Sequence, residues 1–276
     1  MQSRVAEAIK LINQPVALIW TDRKPESALQ FQEGRWGCVL WLVAGAAKGK
    51  QAVADAKTFG CFGGGVGLGF GEQYRNFPGG EECFCHFLSS GNAGWEKGRD
   101  VAGKVKPFMT AETFENFLHG EGYLKSPEQV KKFINHLPMT AIPAKYVLFK
   151  PLADVEPEKE KPQVVIFFVT PHQFSALIIL ANYPRGDNEN VIIPFVAGCQ
   201  AIGIYPYREA KAKKPRAVAG LVDLSTRLNL RRQMGENVLT FSVPFAMYEE
   251  MEENVKGSFL ERPTWQSLLQ VDKEQT

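Results

Sequence analysis

Five cysteines, Cys38, Cys61, Cys83, Cys85 and Cys199, are the residues of this chain best suited to chemistry. All but Cys199 fall in the first half of the sequence. Thiolates bind soft or borderline metals and iron–sulfur clusters. The one-sided distribution therefore marks Cys38, Cys61, Cys83 and Cys85 as candidate ligands of an iron–sulfur cluster or another thiolate-bound metal. The spacing is not that of a common zinc site. Cys83-Phe84-Cys85 is shorter than a Cys-x-x-Cys knuckle, and there is no second such pair. Two other readings stand beside this one. Free cysteine packs in cores as a small hydrophobe, and a thiol such as Cys61 can act as a redox group or nucleophile. His86, next to Cys85, is a further candidate metal ligand, and His172 a candidate ligand-facing side chain. Histidines of both kinds are more often ordinary half-exposed residues.

Cys61 also heads a glycine run. From Gly60 to Gly71, seven of twelve residues are glycine, interleaved with Val66, Leu68 and Phe70. Glycine is used where backbone must take positive φ or come very close to another group. Gly63, Gly64, Gly65, Gly67 and Gly69 are therefore candidate ligand-binding positions, with a glycine-kinked, tightly packed strand as the alternative. The run fits no standard phosphate loop. It ends Gly71-Glu72-Gln73 where a Walker A loop needs Gly-Lys-Ser/Thr, and its glycines miss the Gly-x-Gly-x-x-Gly spacing. No nucleophile elbow, His-Glu-x-x-His or paired-carboxylate signature is present. The glutamates at 112, 115, 249, 250, 252 and 253 read as solvated helix faces.

Composition narrows the partners. Lys plus Arg is 32 against Asp plus Glu 30, so charge offers no reason to expect nucleic acid or an anionic membrane. The basic stretch Arg208–Arg216 contains no aromatic and reads as a solvated loop. The apolar run Cys38–Ala47 is ten residues, short of the roughly 18 that span a bilayer. Residues 1–20 show no export signal. The expectation is a cytoplasmic protein without structural disulfides. Its expected partner is a small molecule or metal ligand, and a homo-oligomer is left open.

The elements that would position these residues come next. A chain of 276 residues suggests two domains or one duplicated one. Ser3–Asn13 has a helical period, and Val16–Trp20 reads as a buried strand. Trp36–Ala47 reads as a buried helix. The Cys61-led run, Cys83–Leu88 and Val105–Phe108 read as strands, and Thr110–Leu118 as a helix capped by Thr110 and stopped by Gly120. A shift of 137 residues lays Pro107, Phe108 and Gly120 on Pro244, Phe245 and Gly257; a shift of 138 lays Cys61 on Cys199. The expected fold class is α+β: two similar halves from an internal duplication, with mixed sheets and packed helices. The halves would be residues 1–126, holding the Cys/Gly-rich site, and 127–276, with an inserted segment at 139–163.

Gly37-Cys38 on an apolar helix, then Cys61-Phe62-Gly63-Gly64 with Gly67-Leu68-Gly69 downstream, resembles the prokaryotic family known as domain of unknown function 169. Pro171-His172-Gln173 is similar to that family too, and the resemblance adds Gln173 to the candidate ligand-binding residues. The resemblance brings no activity with it. The leading expectation is a protein binding a ligand or a thiolate-ligated metal or iron–sulfur cofactor in its first half. The alternatives are a cysteine-dependent enzyme using Cys61 and a non-catalytic assembly protein.

Overall fold

The computed structural model describes residues 1–274. They form two compact units: Met1–Phe70 together with the chain from Thr140 onward, and Gly71–Met139. The first unit opens with α1 (Arg4–Ala8), β1 (Val16–Thr21), α2 (Val39–Ala47), β2 (Ala52–Asp55) and α3 (Phe62–Gly67). The second unit holds α4 (Gly80–Leu88), α5 (Glu96–Val105), α6 (Ala111–His119) and α7 (Pro127–His136). The first unit resumes with β3 (Tyr146–Pro151), β4 (Pro162–Val169), α8 (Pro171–Asn182), β5 (Val191–Ile192) and α9 (Gly198–Ile202). It ends with α10 (Ile204–Ala210), β6 (Ala217–Gly220), α11 (Leu224–Met234), β7 (Leu239–Pro244), α12 (Phe245–Glu253) and α13 (Pro263–Glu274). Among the described residues no helix is long and apolar enough to cross a membrane.

The fold is α+β around one mixed sheet of seven strands in the order β2-β3-β1-β4-β7-β6-β5. All neighbours run antiparallel except β5 and β6. Val16–Ile19 and Val164–Val169 are buried at every position, because helices cover both faces of the sheet. Alternation sorts the side chains. On one face Ala17, Ile19, Val165, Phe167, Phe241 and Val243 meet Leu177 and Leu180 of α8, Met247 and Tyr248 of α12, and Trp265 of α13. The opposite face, carrying Leu18, Phe149, Ile166, Thr240 and Ser242, lies under α2, α9 and α10.

Buried charges fasten this frame. Glu252 is buried on α12, not on a solvated face as expected. Its carboxylate accepts hydrogen bonds from Ser3 Oγ (2.6 Å), the Arg4 and Val5 amides (2.8 and 3.2 Å) and the Tyr248 hydroxyl (2.7 Å). It thereby caps α1, which stops at Ala8, well short of the expected Asn13. Lys10 takes φ 53, and the Gln173 amide captures the Ile9 and Lys10 carbonyls. Lys150, 6% exposed in β3, donates to both oxygens of Glu160 at 2.8 and 3.1 Å, which ties down the acidic loop before β4. The basic stretch that begins in α10 is not simply solvated either. Arg208 and Arg216 both pair with the buried Glu209. Burial would raise that carboxyl, but the two guanidinium groups win and hold it below the usual carboxylate range.

The second unit is helical around an aromatic centre. Tyr74 stacks on Phe84 at 4.0 Å, and Phe77 lies 5.3 Å from Phe84 and 6.1 Å from Phe117. Two expected strands are absent here. Cys83–Leu88 lies in α4, and Val105–Phe108 is the end of α5 followed by a 3-10 turn. The 137-residue shift consequently lays the first residues of α4 over strand β6, so it does not carry over from sequence to elements. α6 is as expected, with Thr110 Oγ1 accepting from the Thr113 amide and Gly120 at φ 84 ending it.

Removing the Glu160 carboxylate leaves Lys150 charged and buried. Glu160→Ala should cost about 3–5 kcal/mol in urea unfolding. A loss below about 1 kcal/mol would show that water reaches Lys150.

Candidate functional site

The glycine run is a helix, where a loop or strand was expected. Glycine costs about 1 kcal/mol per residue against alanine in a helix interior, so α3 exists for a packing reason. A Cβ on Gly64 would lie 2.5 Å from Val39 Cγ2 of α2 and 2.6 Å from the Phe59 carbonyl. One on Gly67 would lie 2.6 Å from the Cys199 carbonyl carbon, and one on Gly203 2.0 Å from the Gly67 oxygen. At Gly64 and Gly67 the close approach is therefore to α2 and α9, not to open space. Gly69 serves a turn: its φ is +88 and its Cβ would meet Ile142 at 2.7 Å. Gly65 is buried within α3, and Gly63 is half-exposed at the helix start.

Cys61 is the N-cap of α3. Its sulfur accepts from the Gly64 amide at 3.3 Å, and the Gly63 amide also favours its charged form. Cys38 is the buried N-cap residue of α2. Cys199 is buried in the first turn of α9, which packs against α3. Asp223 is the N-cap of α11 and serves two helices at once. Its Oδ1 accepts from the Thr226 amide of α11 (2.7 Å) and its Oδ2 from the Gly198 amide of α9 (2.6 Å). Leu221, two residues earlier, is buried at φ 64, a left-handed conformation that costs a non-glycine residue about 1–2 kcal/mol. Trp41 Nε1 donates to the Asn229 carbonyl at 2.9 Å and so ties α2 to α11.

Three thiols and one carboxylate thus gather where α2, α3, α9 and α11 begin. Burial pushes Cys38 up to about 12, and the nearby Cys61 and Asp223 add to it. Burial also raises Cys61, with Asp223 adding to the shift against the opposing Gly64 amide. Cys199 is raised well above its ordinary value by burial, then by Cys61, Asp223 and Cys38. All three are protonated at neutral pH, the opposite of an activated nucleophile.

The structure divides the expected ligand set Cys38, Cys61, Cys83 and Cys85 between units. Cys38 and Cys61 are together, joined by Cys199. Cys83 and Cys85 belong to the second unit, buried on α4, where the Cys83 sulfur packs on Gly79 and burial pushes Cys85 up to about 11. Among the described residues no group of three or more His, Cys, Asp or Glu side chains is placed to hold a metal ion. His86 stacks on Trp95 at 4.6 Å with Nδ1 3.3 Å from the Gly91 carbonyl, and His172 is exposed. The Gln173 side chain closes a capping box. Its Oε1 accepts from the Thr170 amide at 3.0 Å while its Nε2 holds the turn after α1. Cys199 and Asp223 escaped the candidate set. The signals were the Gly-Cys pair at 198–199 mirroring 60–61, and the Asp-x-x-Thr cap signature at 223–226.

The family profile for domain of unknown function 169, described as "Uncharacterised ArCR", matches residues 4–254. The chain belongs to this family. No curated protein and no solved structure matches it. The span matched by domain of unknown function 169 contains all five cysteines and Asp223, and ends after α12.

Protonated thiols predict a pH profile. The native protein at about pH 8 should react with iodoacetamide on the order of a hundredfold more slowly than the unfolded chain. Because unfolded thiols ionise first, stability should fall as the pH rises from 9.0 toward about 12. A fast-reacting native thiol at neutral pH would contradict the raised values.

Proposed function

We propose that this chain is a binding protein for a small organic molecule, with its site at the Cys38, Cys61, Cys199 and Asp223 cluster. The observation that carries the reading is the meeting of those residues, from four separate segments, at the starts of four helices. The protonated thiols favour binding over nucleophilic or redox catalysis by Cys61. The absence of a metal-holding group among the described residues favours an organic ligand over an ion. A molecule spanning the cluster needs no convergence of sulfurs on one point, whereas zinc needs each sulfur about 2.3 Å away.

The same reading extends to descent. Outward from the β1–β4 contact the sheet order matches strand for strand: β1 with β4, β3 with β7, β2 with β6, each pair meeting antiparallel neighbours. The strand order supports an internal duplication whose halves divide near the acidic loop at 153–162 rather than between 126 and 127, with residues 71–139 inserted in the first.

Native mass spectrometry of gently, anaerobically purified protein tests the function. Serine is a good helix cap, so Cys61→Ser should keep the fold while removing the sulfur. The parent should carry an organic adduct released on unfolding, depleted in Cys61→Ser and retained in Cys85→Ala. An adduct of metal mass with broad absorbance near about 400 nm would establish a cluster instead. No adduct, or one untouched by Cys61→Ser, would remove the site.

A further inference from the structure

Two hydroxyls lie inside the sheet layer with no group of the protein to bond to. Thr240 and Ser242 of β7 are each 0% exposed, and neither Thr240 Oγ1 nor Ser242 Oγ has a hydrogen-bond partner among the described residues. Residues two apart on a strand share a face, and α9 and α10 pack against this strand on that face. A Cβ built on Gly220, the β6 residue paired with Thr240, would lie 2.5 Å from Thr240 Oγ1 and 2.7 Å from the Ala201 Cβ. The Thr240 hydroxyl therefore sits between β6 and α9. Its other strand neighbour is Phe168, and Ser242 has Ile166 and Val218 beside it. None of these four side chains offers a polar atom.

Helical hydroxyls in this chain bond their own backbone. Ser89 Oγ donates to the Cys85 carbonyl at 2.7 Å and Ser175 Oγ to the Pro171 carbonyl at 3.1 Å. A strand offers no such carbonyl, because its carbonyls serve the ladder, and β4 pairs with β7 residue for residue. A buried hydroxyl left unbonded is costly, whereas an apolar side chain of the same shape carries no such cost. Native proteins meet the need with ordered internal water. We propose that Thr240 and Ser242 hold one buried water molecule in common on the α9 and α10 side of β7. Their backbones are about 6.7 Å apart. Two hydrogen bonds of about 2.8 Å through one oxygen span up to about 5.6 Å, and the Cβ–Oγ bonds turned toward each other cover the remainder. An ion is a poor guest here, since two neutral hydroxyls among apolar neighbours do not offset the loss of its hydration. This site is independent of the thiol cluster, although α9, which covers Thr240, also carries Cys199.

The sign of a stability change tests the site. Thr240→Val keeps the shape and removes the hydroxyl. A hydroxyl bonded to water loses that bond, so the urea midpoint should fall; an unbonded hydroxyl would be relieved, and the midpoint would rise. Ser242→Ala should lower the midpoint too. The double variant should lose less than the sum of the two, because a shared molecule is lost once. Oxygen-17 magnetic relaxation dispersion, which counts long-lived internal waters, should find fewer in the double variant than in the parent. A crystal structure of the parent should show an isolated oxygen about 2.8 Å from both hydroxyls, a readout that needs no variant to fold. A raised midpoint in Thr240→Val overturns the proposal, as does an unchanged count of internal waters. Strict additivity overturns the shared molecule, and an oxygen continuous with a larger molecule overturns water as the guest.

Discussion

The backbone of Gly67 lies against the backbone of Cys199 and Gly203, and the thiol cluster depends on that contact. With any side chain at Gly67 or Gly203, α3 and α9 would move apart, and Cys61 and Cys199 with them. Glycine at these positions exchanges helix propensity for closeness. Asp223 supplies the lateral restraint by joining the first amides of α9 and α11 through its two oxygens. A carboxylate at a helix start also opposes the positive end of the helix dipole, so the clamp is electrostatically consistent. It is less consistent with thiolates nearby, and the raised thiols record the conflict.

That conflict bears on the proposed reading. A nucleophilic cysteine is made by placing a cation or an unopposed helix N-terminus beside it. Cys61 has the helix terminus, through the Gly64 amide, yet burial and Asp223 outweigh it. Cys38 and Cys199 lack a cationic partner among the groups that move their titration. The three thiols are therefore soft, weakly polar groups held beside the Asp223 carboxylate.

Legibility in the sequence followed whether local rules or tertiary contact decided the outcome. β1, β4 and α6 were readable because their apolar runs or their Thr110 and Gly120 caps act locally. The nature of α3 was not readable, since its glycines contradict helix propensity and only α2 and α9, far away in sequence, explain them. Cys83–Leu88 misled for the opposite reason: a short apolar run does not distinguish a strand from a buried helix. Of the proposed site, Cys38 and Cys61 stood out in the sequence. Cys199 was visible only as the mirror of Cys61. Nothing local told whether it met Cys61 or lay apart from it. The family match covers the whole site but carries no chemistry, so the geometry alone has to argue it.

The two faces of the sheet divide the remaining work. One is a conventional core of large apolar side chains, closed by Trp265 and clipped to the chain start by Glu252. The other carries glycine-rich α3, short α9, left-handed Leu221 and the hydroxyls of Thr240 and Ser242 buried in β7, while left-handed Lys10 adjoins Ile9 of the first. Departures of this kind cost roughly 1–3 kcal/mol each and persist only where the surroundings over-determine them. A packing defect in a purely structural face would scatter along the sheet. Those at α3, α9 and Leu221 lie where Cys61, Cys199 and Asp223 are held, which supports the site proposed on this face.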